Sequence, residues 1–421
     1  VTRIRSRAAG RGSQGIRSLC DLILIAVLAA VTNFAYLIAS NGDFTFPDSQ
    51  TYLTPAQHLL QGLGYTNDVN EPDTLRTPVY PLLLIPFIAF TSSLASIVVL
   101  QHLINVALAV AIYLFVRRRF DSRFAALLAA TIFAIDTPTI HYANKVLTET
   151  LFTAVLFALF VLIAEKRATI ASGILAGLLV LIRPVAILYF VILAIFFVRR
   201  RVAAFIILAM LFPLGWAIRN RLAGGVFTVS SIGGINMLDY RAAGAIAILD
   251  EGEFRESLAD RQSELQGDAD EEIAQKLHIQ SGDDAPVAIR ARELGRIGLR
   301  IALRHPIGLA LVTFRGLLVN LLDSDWEAMM MVSTLDSSLV RLAINAWTHV
   351  VIVLAAIGVF LMWRRDRELA LLIALTIGYY LLISAGGEAE SRFRVPVAPQ
   401  IAIAAAFGVD MIRRAGVTNG D

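Results

Sequence analysis

A carboxylate and a guanidinium sit near the two ends of one polar stretch, residues 47–81, which follows the first long apolar run of the chain. Asp48 stands near its start, in P-D-S-Q-T-Y, and Arg76 near its end, in L-R-T-P-V-Y-P. A carboxylate within hydrogen-bond reach of a hydroxyl takes its proton, and a guanidinium holds an anion beside it. At a membrane edge such a pair suits deprotonating one group while an anionic one is held. An amphipathic loop resting on lipid headgroups would carry the same two residues, and one Asp and one Arg do not separate the readings. Between them, Tyr52, Ala56, Leu59 and Leu60 are compatible with a short helix, and G-L-G-Y at 62–65 predicts a turn.

Further ionisable residues border the apolar runs: His141, Lys145, Glu149, Arg183, Arg219, Glu388, Arg392 and Arg394. Charge at a membrane boundary is costly and tends either to pair or to mark a substrate path. Each also has a purely structural reading. Glu149 after Thr148 suits a helix N-terminus, and Arg183-Pro184 and Arg219-Asn220 suit long side chains reaching back to the interface. Gathered at one level from distant segments, they would line a single cavity with a carboxylate base and several phosphate-binding cations. The one cysteine, Cys20, excludes an internal disulfide and a cysteine metal site.

The elements that must position these residues are membrane helices. The chain is 57% hydrophobic and its mean hydropathy is +0.68, well above the roughly half-apolar mix of soluble domains. Apolar runs recur along nearly its whole length. Helices are expected because each satisfies its own backbone hydrogen bonds in lipid. The fold class expected is therefore all-α and polytopic, one integral membrane domain over 1–421, with no partner of nucleic acid. The amino terminus is basic (Arg3, Arg5, Arg7, Arg11, Arg17), and no small-residue cleavage site follows the first run, which predicts an uncleaved span.

Span length and the positive-inside rule then give about ten spans with both ends cytoplasmic: 22–39, 97–116, 124–138, 149–164, 170–182, 185–198, 202–218, 345–363, 369–385 and 395–412. Arg117-Arg118-Arg119, Lys166-Arg167 and Arg199-Arg200-Arg201 all fall on the cytoplasmic side of this scheme. It leaves 41–96 as a first extracytoplasmic loop with a short juxtamembrane helix at 80–90, and 219–344 as a large extracytoplasmic segment. Within the latter, acidic 250–272 predicts a solvated helix or loop. Arg292, Arg296, Arg300 and Arg304 share one side of a helix at 286–304, placed either for headgroups or for an anionic substrate. The apolar run 307–322 is taken as interfacial. No internal repeat of 20–50 residues is visible.

Several short motifs, in order along the chain, carry a resemblance. P-D-S-Q-T-Y, A-Q-H-L-L-Q-G-L-G-Y and R-T-P-V-Y-P-L-L-L resemble the first extracytoplasmic loop of bacterial glycosyltransferases of the C superfamily. The branch is the family-39-like one of protein mannosyltransferases and lipid A aminoarabinose transferases. H-Y-A-N-K-V-L-T-E-T-L-F resembles its second loop and following helix, and G-L-L-V-L-I-R-P the helix ending in Arg-Pro. F-P-L-G-W-A-I-R-N-R-L-A-G-G resembles the exit into the large loop, A-L-R-H-P the late His-Pro motif, and E-S-R-F-R-V-P-V-A-P the last loop. Together they cover about 22–412. The family's paired acids are not matched, since Ser49 follows Asp48, and this weakens the inference of a divalent cation while leaving one open.

The resemblance implies an inverting transfer of a sugar from a polyprenyl-phosphate donor to an acceptor hydroxyl, at the outer face of the plasma (inner) membrane. It implies Asp48 as general base. Arg76, Lys145, Arg183, Arg219, Arg392 and Arg394 become candidate phosphate or sugar contacts, and His141 and Glu149 orient the acceptor or the base. Two other classes remain in view: a transporter or flippase, which would show discontinuous helices and internal symmetry, and a non-catalytic assembly subunit of the envelope.

Overall fold

The computed structural model describes residues 2–91, 93–166, 169–197, 199–330 and 337–418. Arg167 and Val198 lie outside them, as do the side chains of residues 1–17 and of Arg199 and Arg200. The described residues form helices joined by turns, with one isolated antiparallel bridge between Thr66 and Pro72. In order the helices are α1 (Thr2–Ala39), α2 (Ser49–Leu60), α3 (Val79–Phe90), α4 (Ala95–Phe120), α5 (Arg123–Ala134), α6 (Thr137–Ala143), α7 (Glu149–Ala164), α8 (Thr169–Ile182), α9 (Tyr189–Leu193) and α10 (Arg199–Gly224). The second half adds α11 (Ile232–Asn236), α12 (Ala243–Ala247), α13 (Phe254–Leu277), α14 (Val287–Arg304), α15 (Pro306–Leu322), α16 (Trp326–Met330), α17 (Ser337–Trp363), α18 (Arg367–Ile383) and α19 (Ala398–Thr418).

The chain is an all-α polytopic membrane protein, as its composition predicts. In α1, Asp21, Ile25, Ala29, Asn33 and Tyr36 are buried at helical spacing, while Ile23, Leu24, Val27, Val31 and Ile38 face outward. A helix apolar on its outer face as well as its inner one belongs in lipid, not in water. Among the described residues five helices are long and apolar enough to cross a membrane, and up to seven spans result if each of two bent pairs counts as one. The pairs are α5 with α6, bent by 51°, and α14 with α15, bent by 102°. Several expected spans are shorter than a full crossing: α7 and α8 have 16 and 14 residues and α18 has 17. The expected run 185–198 is broken. Pro184 forces Arg183 into an extended conformation (φ −140°, ψ 121°), and the chain continues as a 3₁₀ turn, α9 and a second 3₁₀ turn.

The basic ends of the spans share one end of the bundle. Arg119 at the end of α4 pairs with Asp366, and Lys166 just after α7 pairs with Glu368 at 2.6 Å, beside the start of α18. The core lies among α4, α5, α7, α8, α17, α18 and α19. Small residues let its helices approach. A Cβ on Gly358 of α17 would stand 1.8 Å from the Ala404 carbonyl oxygen of α19.

At the other end of the bundle, α11 to α15 build a helical lobe with its own core of Leu238, Ala243, Leu258, Leu265, Ile273, Leu294 and Ile297. The acidic stretch 250–272 lies largely on the helix α13, which buries Leu258, Leu265, Ala269 and Ile273 and leaves its other residues exposed or half-buried. Three of the four arginines expected along α14 pair with carboxylates of the lobe, and none of the four lines the cavity described below. Arg296 donates to Glu272 (2.7 Å) and to Glu293 (2.9 Å), Arg300 pairs with Glu272, and Arg292 pairs with Glu293 at 3.1 Å.

Candidate active site

Asp48 occupies the N-cap position of α2, but its carboxylate makes no cap bond. It points to two guanidiniums instead. Oδ1 accepts from Arg76 Nη2 at 2.8 Å and Oδ2 from Arg392 Nη1 at 2.8 Å. Arg76 is held from the α2 side, by Thr51 Oγ1 at 2.8 Å, the Tyr52 hydroxyl at 3.2 Å and the face of the Tyr52 ring at 4.7 Å. Its loop is turned by Asp73, whose carboxylate accepts the backbone N–H groups of Leu75 (2.7 Å) and Arg76 (3.2 Å). The G-L-G-Y turn precedes it, with Gly62 and Gly64 at φ of +76° and +82°, where a side chain would be strained.

Arg392 comes from the opposite direction, on the 3₁₀ turn Ser391–Val397 that opens into α19. It is 5% exposed, lies over the Phe46 ring at 5.0 Å, and donates through Nε to Glu149 Oε1. The same Glu149 oxygen accepts from Arg183 Nη1 at 2.6 Å. Glu149, at the start of α7, is fully buried, and its second oxygen has no protein partner. The result is an alternating chain, Arg76–Asp48–Arg392–Glu149–Arg183, assembled from the first polar loop, the start of α7, the end of α8 and the last loop.

This chain forms one wall of a cavity of about 620 Å³. Asp48, Arg76, Arg183 and Arg392 line it, while Glu149 stands behind them and holds two of the guanidiniums. Tyr240, Arg241, Glu388 and Glu390 also line it, with Val185, Ile232, Met237, Ile383 and Phe393 supplying an apolar side. Burial alone would raise the Asp48 carboxyl, but the Arg392 and Arg76 charges override it and hold it below the ordinary aspartate range. Glu390 is displaced in the other direction. Burial raises it, Arg392 offsets part of the rise, and Glu149, Asp48 and Asp323 add to it, leaving it at about 7.

The other residues expected at the site lie outside this lining. His141 bonds the Tyr36 hydroxyl at 2.7 Å. Lys145 reaches back to Asp43, both its carbonyl (3.1 Å) and its carboxylate (2.6 Å). Arg219 stacks on Trp216 and donates to the carbonyls of Asp73 (2.6 Å) and Tyr65 (2.7 Å), tying α10 to the first loop. Arg394 donates to the carbonyls of Leu321 and Asp323, both at 2.7 Å, anchoring the last loop to the end of α15. These four are fasteners of the loops that carry the cavity. Sequence reasoning passed over Glu390, Arg241 and Tyr240. Glu390 had a signal, since it directly precedes S-R-F-R in the last-loop motif; Tyr240 and Arg241 sit on a π-helical turn, Met237–Ala242, with none.

Among the described residues no group of three or more His, Cys, Asp and Glu side chains could hold a metal ion. Both oxygens of Asp48 are taken by guanidiniums, so the divalent cation left open by the resemblance finds no ligand set there.

No protein-family model and no curated protein matches the chain. Among solved structures, it is similar to ArnT from Cupriavidus metallidurans bound to undecaprenyl phosphate. The identity is 14% and the TM-score 0.38, over 92% of this chain and 77% of that one. A likeness that loose leaves the activity to be argued from this chain's own residues.

Proposed function

We propose that the protein is a membrane glycosyltransferase that moves a sugar from a polyprenyl-phosphate donor to an acceptor hydroxyl, with inversion. The observation that carries the reading is the cavity wall. Arg183 faces the cavity with a single ion-pair partner, Glu149, so its remaining N–H groups are open to a phosphate. Arg76 and Arg392 flank it, each fixed by Asp48. Fixed donors of this kind stabilise charge developing on a departing phosphate. The apolar side of the same cavity, at Val185, Ile383 and Phe393, suits the first isoprene units of a lipid carrier. On this reading the end of the bundle opposite the basic clusters is extracytoplasmic. The loops at 41–96 and 219–344 and the cavity then face outward across the plasma (inner) membrane.

The test is release of polyprenyl phosphate by purified protein in detergent. The donors are a panel of polyprenyl-phosphate hexoses and pentoses, and an envelope extract supplies the acceptor. Sugar-dependent release that an Arg183→Gln change suppresses supports the reading. The broken segment 184–196 and the two bent helix pairs are the features that a transporter would share. Movement of the intact donor across a liposome membrane without cleavage would favour that class instead.

A further inference from the structure

Three carboxylates line the cavity: Asp48, Glu388 and Glu390. A general base must accept a proton from the acceptor hydroxyl, so it needs an oxygen that substrate can reach and that is not already committed to cations. Asp48 fails the second condition, with each oxygen 2.8 Å from a guanidinium nitrogen. Glu388 fails both, because Oε1 pairs with Arg241 at 3.0 Å and Oε2 is buried with no partner. Glu390 meets both. Its side chain is 34% exposed, and its nearest cation, Arg392 Nη1, stands 3.8 Å from Oε1, beyond hydrogen-bond length.

Its placement is firm although its carboxylate is free. The Glu390 backbone N–H donates to Asn320 Oδ1 at 3.1 Å, and the Ser391 N–H donates to Asp323 Oδ2 at 3.1 Å. Asn320 is itself fully buried on α15. The last loop is thereby nailed to α15, and Glu390 and Asp48 approach the same nitrogen of Arg392 from two sides, at 3.8 and 2.8 Å.

We propose that Glu390, not Asp48, is the general base of the transfer, and that Asp48 positions Arg76 and Arg392. The inference rests on the glycosyltransferase reading. In the step, the acceptor hydroxyl gives its proton to Glu390 while its oxygen lone pair forms the bond to the anomeric carbon. The bond from that carbon to the phosphate oxygen breaks, and its electron pair leaves on the polyprenyl phosphate. Glu390 then returns the proton to water. The free carboxylate near pH 7 agrees with that task. The charged and titratable groups facing Glu390 are Arg392, Asp48 and Tyr240 in the cavity lining, Glu149 behind it, and Asp323, Asp325 and Tyr142.

The experiment measures kcat for polyprenyl phosphate release from pH 5 to 9, with wild type, Glu390→Gln and Glu390→Asp. Donor binding is followed separately, as the rise in melting temperature on adding the polyprenyl-phosphate sugar. The expected result is a wild-type kcat that climbs with an apparent pKa near 7. Glu390→Gln should lose roughly 10²–10⁴-fold in kcat, with no pH limb, while still binding donor. Glu390→Asp should recover part of the rate. Wild-type turnover by Glu390→Gln overturns the base and leaves the transferase intact. A wild type inert on the whole panel overturns the transferase and this inference with it. Glu390→Gln that no longer binds donor assigns the residue to binding and also overturns the base.

Discussion

Replacing Glu149 by Gln probes the part of the site that no substrate touches. Glu149 is fully buried, and one of its oxygens holds both Arg183 and Arg392. Removing one partner of a buried ion pair costs about 3–5 kcal/mol, because it strands charge away from water. Two features place this case at the low end. Arg392 keeps Asp48 at 2.8 Å, and Arg183, with 15% of its side chain exposed, can turn toward the cavity. A cost of about 3 kcal/mol, spread over roughly 2.1 cal/mol/K of unfolding entropy per residue, lowers Tm by about 3–4 °C. The double variant Glu149→Gln/Arg183→Gln removes one stranded cation and should be more stable than Glu149→Gln alone. Tm is read by fluorescence-detected size exclusion in detergent at pH 7.5. A Glu149→Gln shift below about 1 °C, or a double variant that merely adds the two single losses, would refute the claim that this carboxylate holds the guanidiniums in place.

Arg183→Gln should weaken binding of a polyprenyl-phosphate sugar roughly 10–100-fold, the worth of one charge-assisted hydrogen bond; Arg296→Gln, on the lobe, should leave binding unchanged in the same titration. Asp48→Asn should lower kcat/KM by roughly 10–100-fold through mispositioned Arg76 and Arg392 and yet keep the rise of kcat with pH, whereas Glu390→Gln should lose that rise; total loss of transfer in Asp48→Asn would return the base to Asp48. Asp325, between α15 and α16, is raised to about 7, by burial first and then by Asp323 and Glu390. A carboxyl raised on folding stabilises the protein fully below its unfolded value near 4 and ceases to do so as pH rises through about 7. Asp325→Asn should therefore raise Tm at pH 8 and leave it unchanged near pH 4, and a rise at both would contradict the assignment. Gly358→Ala should force α17 from α19, given the 1.8 Å approach to the Ala404 carbonyl, and lower Tm by more than any of these.

Much of the fold was legible because a membrane leaves few options. Apolar runs bounded by arginine clusters place helices and their ends, and the pairing of Arg119 with Asp366 and Lys166 with Glu368 gathers those ends where the clusters imply. The broken 184–196 segment was visible only as Pro184, whose effect on the helix depends on what replaces the lost hydrogen bonds. The site was half legible. Asp48, Arg76, Arg183 and Arg392 were found through motif residues at span ends, and they converge. Lys145, Arg219 and Arg394 have the same residue types at the same kind of position, and they bind carbonyls and Asp43 instead. Nothing in composition or spacing separates a cation aimed at a cavity from one aimed at a loop, because the difference lies in side-chain direction. Glu390 lay within the last-loop motif, but its proposed use depends on lacking a close partner, a property of the packed site and not of the residue.

The choice of base also follows from charge balance inside the cavity. The lining brings together Arg76, Arg183, Arg241 and Arg392 with Asp48, Glu388 and Glu390. In the proposed transfer a polyprenyl-phosphate sugar enters as a phosphodiester with one negative charge and leaves as a monoester that gains a second, with a pKa of about 6. If Asp48 took the proton, its ion pairs with Arg76 and Arg392 would weaken at the moment those guanidiniums are needed on the phosphate, and their positions would no longer be held. If Glu390 takes it, no ion pair at hydrogen-bond length is broken, and the negative charge lost from the wall reappears on the leaving group a few ångströms away. The total charge enclosed by the cavity is the same before and after transfer with either base, but only with Glu390 do the ion pairs of Arg76 and Arg392 stay whole. The arginines meet the new phosphate charge already oriented, which is the condition under which fixed dipoles and charges lower a barrier without reorganising.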